Sequence, residues 1–329
     1  MYKIKQIPED FIVKEMNNLE LDDNGIYSYF SLKKKNYNTL RAIKIISEKL
    51  KIPEKNIGFA GNKDKNAVTE QFISIKNGNK NIEIKDIELK FLGKGNKEVF
   101  LGSHKGNEFI ITIRNLDNNK IKSIEKRINE SKILMPNYFG PQRFSNSNNL
   151  IGENIVKKDF KKAIELIINT NSDYNEKIKQ HLEKQKNDYI GALKTIPSKL
   201  LKLYIHSYQS LLFNNILEQS INNKNIEKNT IEIIPLIGFG TEIENNETKI
   251  IVDKILEKEN IGFRDFIIKQ IPELSVEGDE RKAFIKISDF KIIKQEKDEL
   301  NKNKEKLIIK FSLPKGCYAT VLIDFLFKN

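Results

Sequence analysis

Apolar and polar residues alternate with a period of two in several short runs, and recur at three-to-four spacing in others. Phe11-Ile12-Val13 and Ile26-Tyr27-Ser28-Tyr29-Phe30 read as strands. Asn38-Thr39 offers a cap for a helix whose apolar face carries Leu40, Ile43, Ile46 and Leu50, and Pro53 follows its end. Gly58 and Gly61, at short spacing, then make a turn in which backbone can come close to a ligand. Beyond it Thr69, Gln71, Ile73 and Ile75 alternate with Phe72 and Ser74, a strand pattern. Further β-type runs fill 82–114, the clearest being Phe109, Ile111 and Ile113 against Thr112 and Arg114. A helix with Ile121, Ile124 and Ile128 on one face closes the block. Strands interleaved with helices predict an α+β sheet domain rather than a helical bundle.

Met135 to Phe144 breaks this pattern, because its prolines and glycine hold it irregular. Ser145-Asn146-Ser147-Asn148-Asn149 reads as a linker and a domain boundary. From 150 to 220 the spacing turns helical. Ala163, Ile164, Leu166 and Ile167 share one helix, and Leu200, Leu201, Leu203 and Tyr204 lead into another that carries Ser207 to Asn214. In that stretch Tyr208, Leu211, Leu212 and Phe213 are expected inside. Residues 221–230 are polar and loop-like, Ile231 to Leu236 returns to strand type, and Gly238-Phe239-Gly240 makes a turn. Leu307 to Phe311 is strand-like, and Tyr318 to Leu326 is apolar enough to be buried.

Composition narrows the class. At 329 residues, with 39% hydrophobic residues, 19 Phe and 10 Tyr, the chain can bury two cores of ordinary size. A net charge of +12 favours a polyanionic partner, although Lys, Ile and Asn are abundant throughout, so base composition of the gene explains part of it. The single cysteine, Cys317, rules out an internal disulfide or a cysteine-rich zinc site, and in its apolar run it reads as a core residue. The N-terminus lacks the apolar core of a signal peptide and no run reaches membrane-spanning length, so a cytoplasmic protein is expected.

Candidate chemistry gathers at two places. Asp64 stands between Lys63 and Lys65 on the glycine turn, where it is either one member of a surface ion pair or a presented acid. The turn is not a phosphate loop, since four residues must separate the glycines and Ser or Thr must follow the lysine. Glu70 is the nearest candidate for a second acid of a glycosidase-like pair. Phe139 is either a core aromatic of a Pro-Gly turn or a stacking platform for an unstacked base. In the second reading Asn137 supplies hydrogen bonds and Arg143 pairs with a phosphate or carboxylate.

Three stretches, Gly58 to Gln71, Pro136 to Phe144 and Ser207 to Asn214, resemble the signature motifs of the TruD family of pseudouridine synthases. Three more support them in order: Pro8-Glu9-Asp10-Phe11-x-Val13-x-Glu15, Leu101 to Phe109, and Phe311 to Thr320. The long gap between the second and third motifs and the Ser-Tyr-Gln-Ser form look like archaeal and eukaryotic members. The resemblance implies a catalytic domain with a mixed, mostly antiparallel sheet built from residues 1–146 and 284–329. A mainly helical α/β insertion over 147–283 separates the two parts, in a V-shaped two-lobe molecule with an RNA cleft.

It further implies an isomerase that flips out a uridine of tRNA, at position 13 in the usual case, and exchanges its C–N glycosidic bond for a C–C bond. Other structured RNAs are also substrates in the wider family. No cofactor, metal or obligatory protein partner is implied, and a monomer is the expectation. Asp64 matches the family's catalytic aspartate, which acts at the sugar C1′ as nucleophile or by assisting a glycal-type intermediate, with attack at the base C6 the older proposal. Asn137 is expected to orient it and contact the base, and Phe139 to stack on the base. Lys5 has the spacing of the basic partner that would keep Asp64 ionised. Lys63, Lys65, Gln142, Arg143 and Arg281 are expected RNA contacts, and Gly58 and Gly61 allow close backbone approach. The competing class is a non-catalytic RNA-binding or RNA-folding protein that retains the pocket.

Overall fold

The structure is a computed structural model that describes residues 1–76, 78, 80–129, 134–170, 172–223 and 233–327. The chain opens with β1 (Phe11–Met16), β2 (Tyr27–Lys35), α1 (Thr39–Leu50), β3 (Ile57–Phe59), β4 (Val68–Lys76), β5 (Ile82–Ile84), β6 (Ile87–Gly95), β7 (Gly106–Leu116) and α2 (Asn118–Asn129). The middle carries β8 (Leu134–Pro136), α3 (Asn148–Val156), α4 (Phe160–Ile168), α5 (Asn175–Lys184), α6 (Tyr189–Lys194) and α7 (Ser198–Asn222). It continues through β9 (Ile233–Leu236), α8 (Asn246–Glu259), β10 (Asp279–Lys282) and β11 (Phe284–Lys286). The chain returns with β12 (Ser288–Lys297), β13 (Glu305–Pro314) and α9 (Ala319–Phe327).

Among the described residues nine strands form one mixed sheet in the order β12-β13-β7-β1-β4-β2-β6-β5, with β3 also paired to β4. β1 and β4 run parallel, and their neighbours pair antiparallel. Asn38 caps α1 by accepting from the Arg41 amide, as the sequence predicts. The helix lays Ala42, Ile43 and Ile46 on Phe30, Leu32, Ile73 and Ile75 of the sheet. Leu40 is a correction: it is 56% exposed, because Thr39 takes the inward position at the helix start. On the other strands Phe109 stacks on Phe311 at 5.3 Å, joining β7 to the returning β13.

The chain divides into two compact units, one of Met1–Ile133, Lys286–Ala319 and Ile323–Asn329, the other of Leu134–Ile285 with Thr320–Leu322. The breaks fall near 134 and 286 rather than at 147 and 284, since β8 pairs with β11 and belongs with the helices. Residues 145–149 are no linker: a 3-10 helix over Pro141–Ser147 runs directly into α3. Serine and asparagine suit helix ends as well as loops, which is why composition misleads there. The second unit centres on α7, whose Tyr208, Leu212, Phe213, Ile216 and Leu217 are fully buried. Gly152 lets α3 lie directly on α7, since a Cβ there would fall 2.0 Å from the Tyr204 carbonyl oxygen. Cys317 is only partly buried, in the turn after β13 rather than in a core. The polar stretch 221–230 beyond residue 223, and the start of the strand expected from 231, lie outside the described residues. Among the described residues no helix is long and apolar enough to cross a membrane.

Arg114 at the end of β7 joins three separate stretches of the sheet unit. Its guanidinium, 3% exposed, donates to Asp10 at 2.8 Å, Asp298 at 2.9 Å and Glu299 at 2.9 Å. Replacing one partner of a buried ion network strands the others, so Arg114→Met is expected to cost about 3–5 kcal/mol in urea unfolding. The same network makes a pH prediction. Bonds from Arg114 and Lys306 hold the Glu299 carboxyl down at about 2. Its contribution to stability is therefore full above about 4.5 and lost as pH falls towards about 2. Acid titration of unfolding should show this loss in the wild type and a flatter profile in Arg114→Met.

Candidate active site

Residues 60–67 lie in neither helix nor strand, so their peptide groups need partners from elsewhere. Side chains of the surrounding elements supply them. The Thr39 hydroxyl accepts from the Lys63 amide at 2.9 Å and donates to Gln71 Oε1 at 2.8 Å. Gln71 Nε2 in turn donates to the Gly61 carbonyl at 3.2 Å. From β2, Lys34 Nζ donates to the carbonyls of Tyr37 at 2.5 Å, Asp64 at 3.2 Å and, most weakly, Lys63 at 3.5 Å. Lys34 is 1% exposed. Burial pushes its ammonium down to about 8, with the Asp64 charge opposing the shift and the Lys63 charge adding to it.

The carboxylate carried by this loop meets the N-terminal segment. Lys5 Nζ donates to Asp64 Oδ2 at 2.6 Å, and the same ammonium lies 4.0 Å from the centre of the Phe11 ring. Lys5 adopts a left-handed backbone, φ 58°, which for a side-chain-bearing residue costs roughly 1–2 kcal/mol. Lys63, expected to touch RNA, is instead buried against Glu15 on β1 at 2.8 Å, so it is withdrawn from the surface contacts. Gly58 is also corrected. It sits in β3, and a Cβ there would fall 2.2 Å from the Val99 carbonyl oxygen, so the glycine serves packing rather than ligand approach. At Gly61 a Cβ would meet only His104 Cε1, at 3.8 Å.

The helical unit brings together a second group. Asn137, 4% exposed, receives two bonds from Arg281: Nη2 to its Oδ1 at 2.6 Å and Nε to its carbonyl at 3.2 Å. Its own Nδ2 donates to the Lys282 carbonyl at 2.9 Å. The Arg281 guanidinium lies 4.1 Å from the centre of the Phe139 ring, which itself meets Phe213 edge-on at 5.5 Å. Asn214 clamps the Phe139 main chain, accepting from its amide at 2.8 Å and donating to its carbonyl at 3.0 Å. Ser207 Oγ donates to the Arg143 carbonyl at 2.8 Å, and Arg143 Nε donates to Ser210 Oγ at 3.1 Å. Ser207, Ser210 and Asn214 recur at three and four residues, so they form one polar stripe on α7.

Comparison with known proteins shows the family of the chain as a whole. The family model described as tRNA pseudouridine synthase D (TruD) covers residues 2–180, 168–232 and 219–324. This chain belongs to the TruD family. A relative from Nanoarchaeum equitans, which carries the name probable tRNA pseudouridine synthase D, is 33% identical over 99% of this chain and 98% of its own. The tRNA pseudouridine synthase D of Aquifex aeolicus is 30% identical over 99% and 98%. A crystal structure from Methanosarcina mazei that bears the TruD name superposes with a TM-score of 0.78 at 27% identity, covering 99% of this chain and 93% of that one.

The sheet unit brings together Asp64 and Lys5, and the helical unit brings together Asn137, Phe139, Arg143 and Arg281. Lys65 and Gln142 are exposed. Sequence reasoning missed Lys34, Thr39, Gln71 and Glu15 as supports of the Asp64 loop. The signal for Lys34 was present: with Phe30 and Leu32 it shares the period-two face of β2 that packs on α1, whereas Lys33 faces solvent. Asn214 lay inside a recognised motif, but its target, the Phe139 backbone, is 75 residues away in sequence. Asn214→Ala removes both of these bonds to the Phe139 main chain. The expected result is about 1–3 kcal/mol lower stability in urea unfolding and faster hydrogen exchange at the Phe139 amide.

Proposed function

We propose that this chain converts uridine 13 of tRNA to pseudouridine, acting as a monomer in the cytoplasm with Asp64 as nucleophile. Membership of the TruD family carries the coarser part, an isomerase that acts on tRNA. The observation that supports the catalytic assignment is the Asp64–Lys5 pair at 2.6 Å, presented by a loop whose peptide groups are fixed from below. In the reaction the Asp64 carboxylate bonds to C1′ as the C1′–N1 bond breaks. The released base turns, C5 bonds to C1′ with departure of the carboxylate, and the proton lost from C5 is balanced by one gained at N1. Lys5 supplies a fixed counter-charge for the carboxylate before attack and after release.

Base flipping costs about a few kcal/mol. Phe139, with its main chain clamped by Asn214 and Arg281 stacked on its ring, offers a rigid aromatic and cationic surface for the flipped base. Stacking on such a ring is worth about 1–3 kcal/mol per base. Asn137 supports the reaction by holding Arg281. Lys65, Gln142 and Arg143 are assigned to the RNA backbone.

A carbodiimide-labelling assay for pseudouridine on tRNA tests the reading. Asp64→Asn is expected to lower the rate by more than about 10³-fold, and modification at the wild-type rate would remove Asp64 from its role. Phe139→Ala should slow single turnover about 10–100-fold at saturating tRNA, the equivalent of the lost stacking. Its tRNA affinity should stay within a few-fold of wild type, because phosphate contacts dominate affinity. Collapse of binding with normal turnover at saturation would contradict the stacking role.

A further inference from the structure

The TruD reading uses Lys5 and Asp64 but has no task for the ammonium buried beneath them. We propose that Lys34 is a positioning residue of the reaction, which holds the main chain of Asp64 in place while the Asp64 carboxylate makes and breaks its bond to the sugar. The inference rests on the reading of Asp64 as nucleophile.

Three observations carry it. First, Lys34 is 1% exposed, and its hydrogen bonds run to the main-chain carbonyls of Tyr37, Lys63 and Asp64. Burying an ammonium without a carboxylate to bond is costly, and a methionine would fill the same apolar face beside Phe30 and Leu32. A buried charge at such a position points to a use beyond packing. Its neighbours show the contrast, since Lys33 is exposed and Lys35 pairs with Glu9 near the surface.

Second, the two lysines grip different parts of one residue. Lys5 engages Asp64 Oδ2, whereas Lys34 engages the Asp64 carbonyl. Once the carboxylate is esterified to C1′ it loses its negative charge, and the bridge to Lys5 loses most of its strength. The carbonyl keeps its dipole throughout, so the Lys34 bond persists through the covalent stage. An anchor on the main chain is the kind that can hold register while the side chain reacts. Third, the same ammonium bonds Tyr37, just ahead of the Asn38 cap of α1, and so ties the loop to both β2 and the start of the helix.

Lys34→Met and Lys34→Ala test the proposal, each measured for single-turnover pseudouridine formation on tRNA, tRNA affinity, thermal unfolding and hydrogen exchange over residues 61–66. Displacement of a reacting group by about an ångström costs about 10²-fold. Lys34→Met is therefore expected to slow turnover by about that factor, with affinity within threefold of wild type and no loss of thermal stability. Exchange at the Lys63 and Asp64 amides should quicken. Lys34→Ala should behave alike and recover part of its rate in propylammonium, which can occupy the vacated space, while ethanol of similar bulk should not restore it. Wild-type turnover with unchanged exchange in either variant overturns the proposal, as does a rate loss accounted for entirely by weaker tRNA binding. If Lys34→Met does not fold, Lys34→Ala with and without propylammonium decides. A wild-type protein that forms no pseudouridine on tRNA defeats the functional reading of Asp64, and the exchange measurement alone then decides whether Lys34 holds the loop.

Discussion

Peptide groups removed from water must be paired, and between Ala60 and Ala67 no secondary structure is present to pair them. The fold answers with side chains drawn from adjacent strands. The sheet order β1-β4-β2 sets Glu15, Gln71 and Lys34 on the one face that carries the loop, with Thr69 opposite both Val13 and Lys34 and Gln71 opposite Leu32. Thr39 enters the same cluster from the first turn of α1. Glu15, Gln71, Lys34 and Thr39 are all buried, and each has a partner that the loop provides or shares. The parallel β1–β4 pairing thus has a local use beyond sheet topology, because it brings Glu15 within reach of Lys63.

The helical unit solves an equivalent problem by an equivalent means. The irregular segment from Asn137 to Arg143 is held by the Ser207, Ser210 and Asn214 stripe on α7 and by Arg281 at the end of the unit. The opposite sides of α7 are apolar and buried, so the helix is fixed by its core before it fixes the segment. The aromatic and cationic surface of Phe139 and Arg281 therefore rests on packing among residues that never approach it.

The sheet unit is made of two stretches of chain far apart in sequence, and its closure depends on pairing β13 with β7 and on the Arg114 network. Asp10 stands just ahead of β1 and Asp298 between β12 and β13, so one guanidinium registers both termini against β7. Lys5, five residues before Asp10, reaches Asp64 from this anchored segment with a left-handed backbone. Strain of that kind persists where the flanking structure over-determines the chain.

Much was legible in the chain alone. Period-two runs located β1, β2, β4 and β7, the Asn38 cap began α1 where expected, and the ordered motifs pointed to the family. Local patterns could do this because each strand or helix must present its own apolar face. They failed where a local pattern has two physical outcomes. Leu40 fits a helical stripe but faces solvent, and the Ser-Asn run at 145–149 fits a linker but forms a helix junction. What sequence could not give is pairing over distance: Lys63 with Glu15, Lys34 with the Asp64 carbonyl, and Asn214 with the Phe139 backbone. A lysine in a lysine-rich chain looks the same whether it meets solvent or a buried carbonyl, and only the tertiary fold, by removing water from one of them, decides which it is.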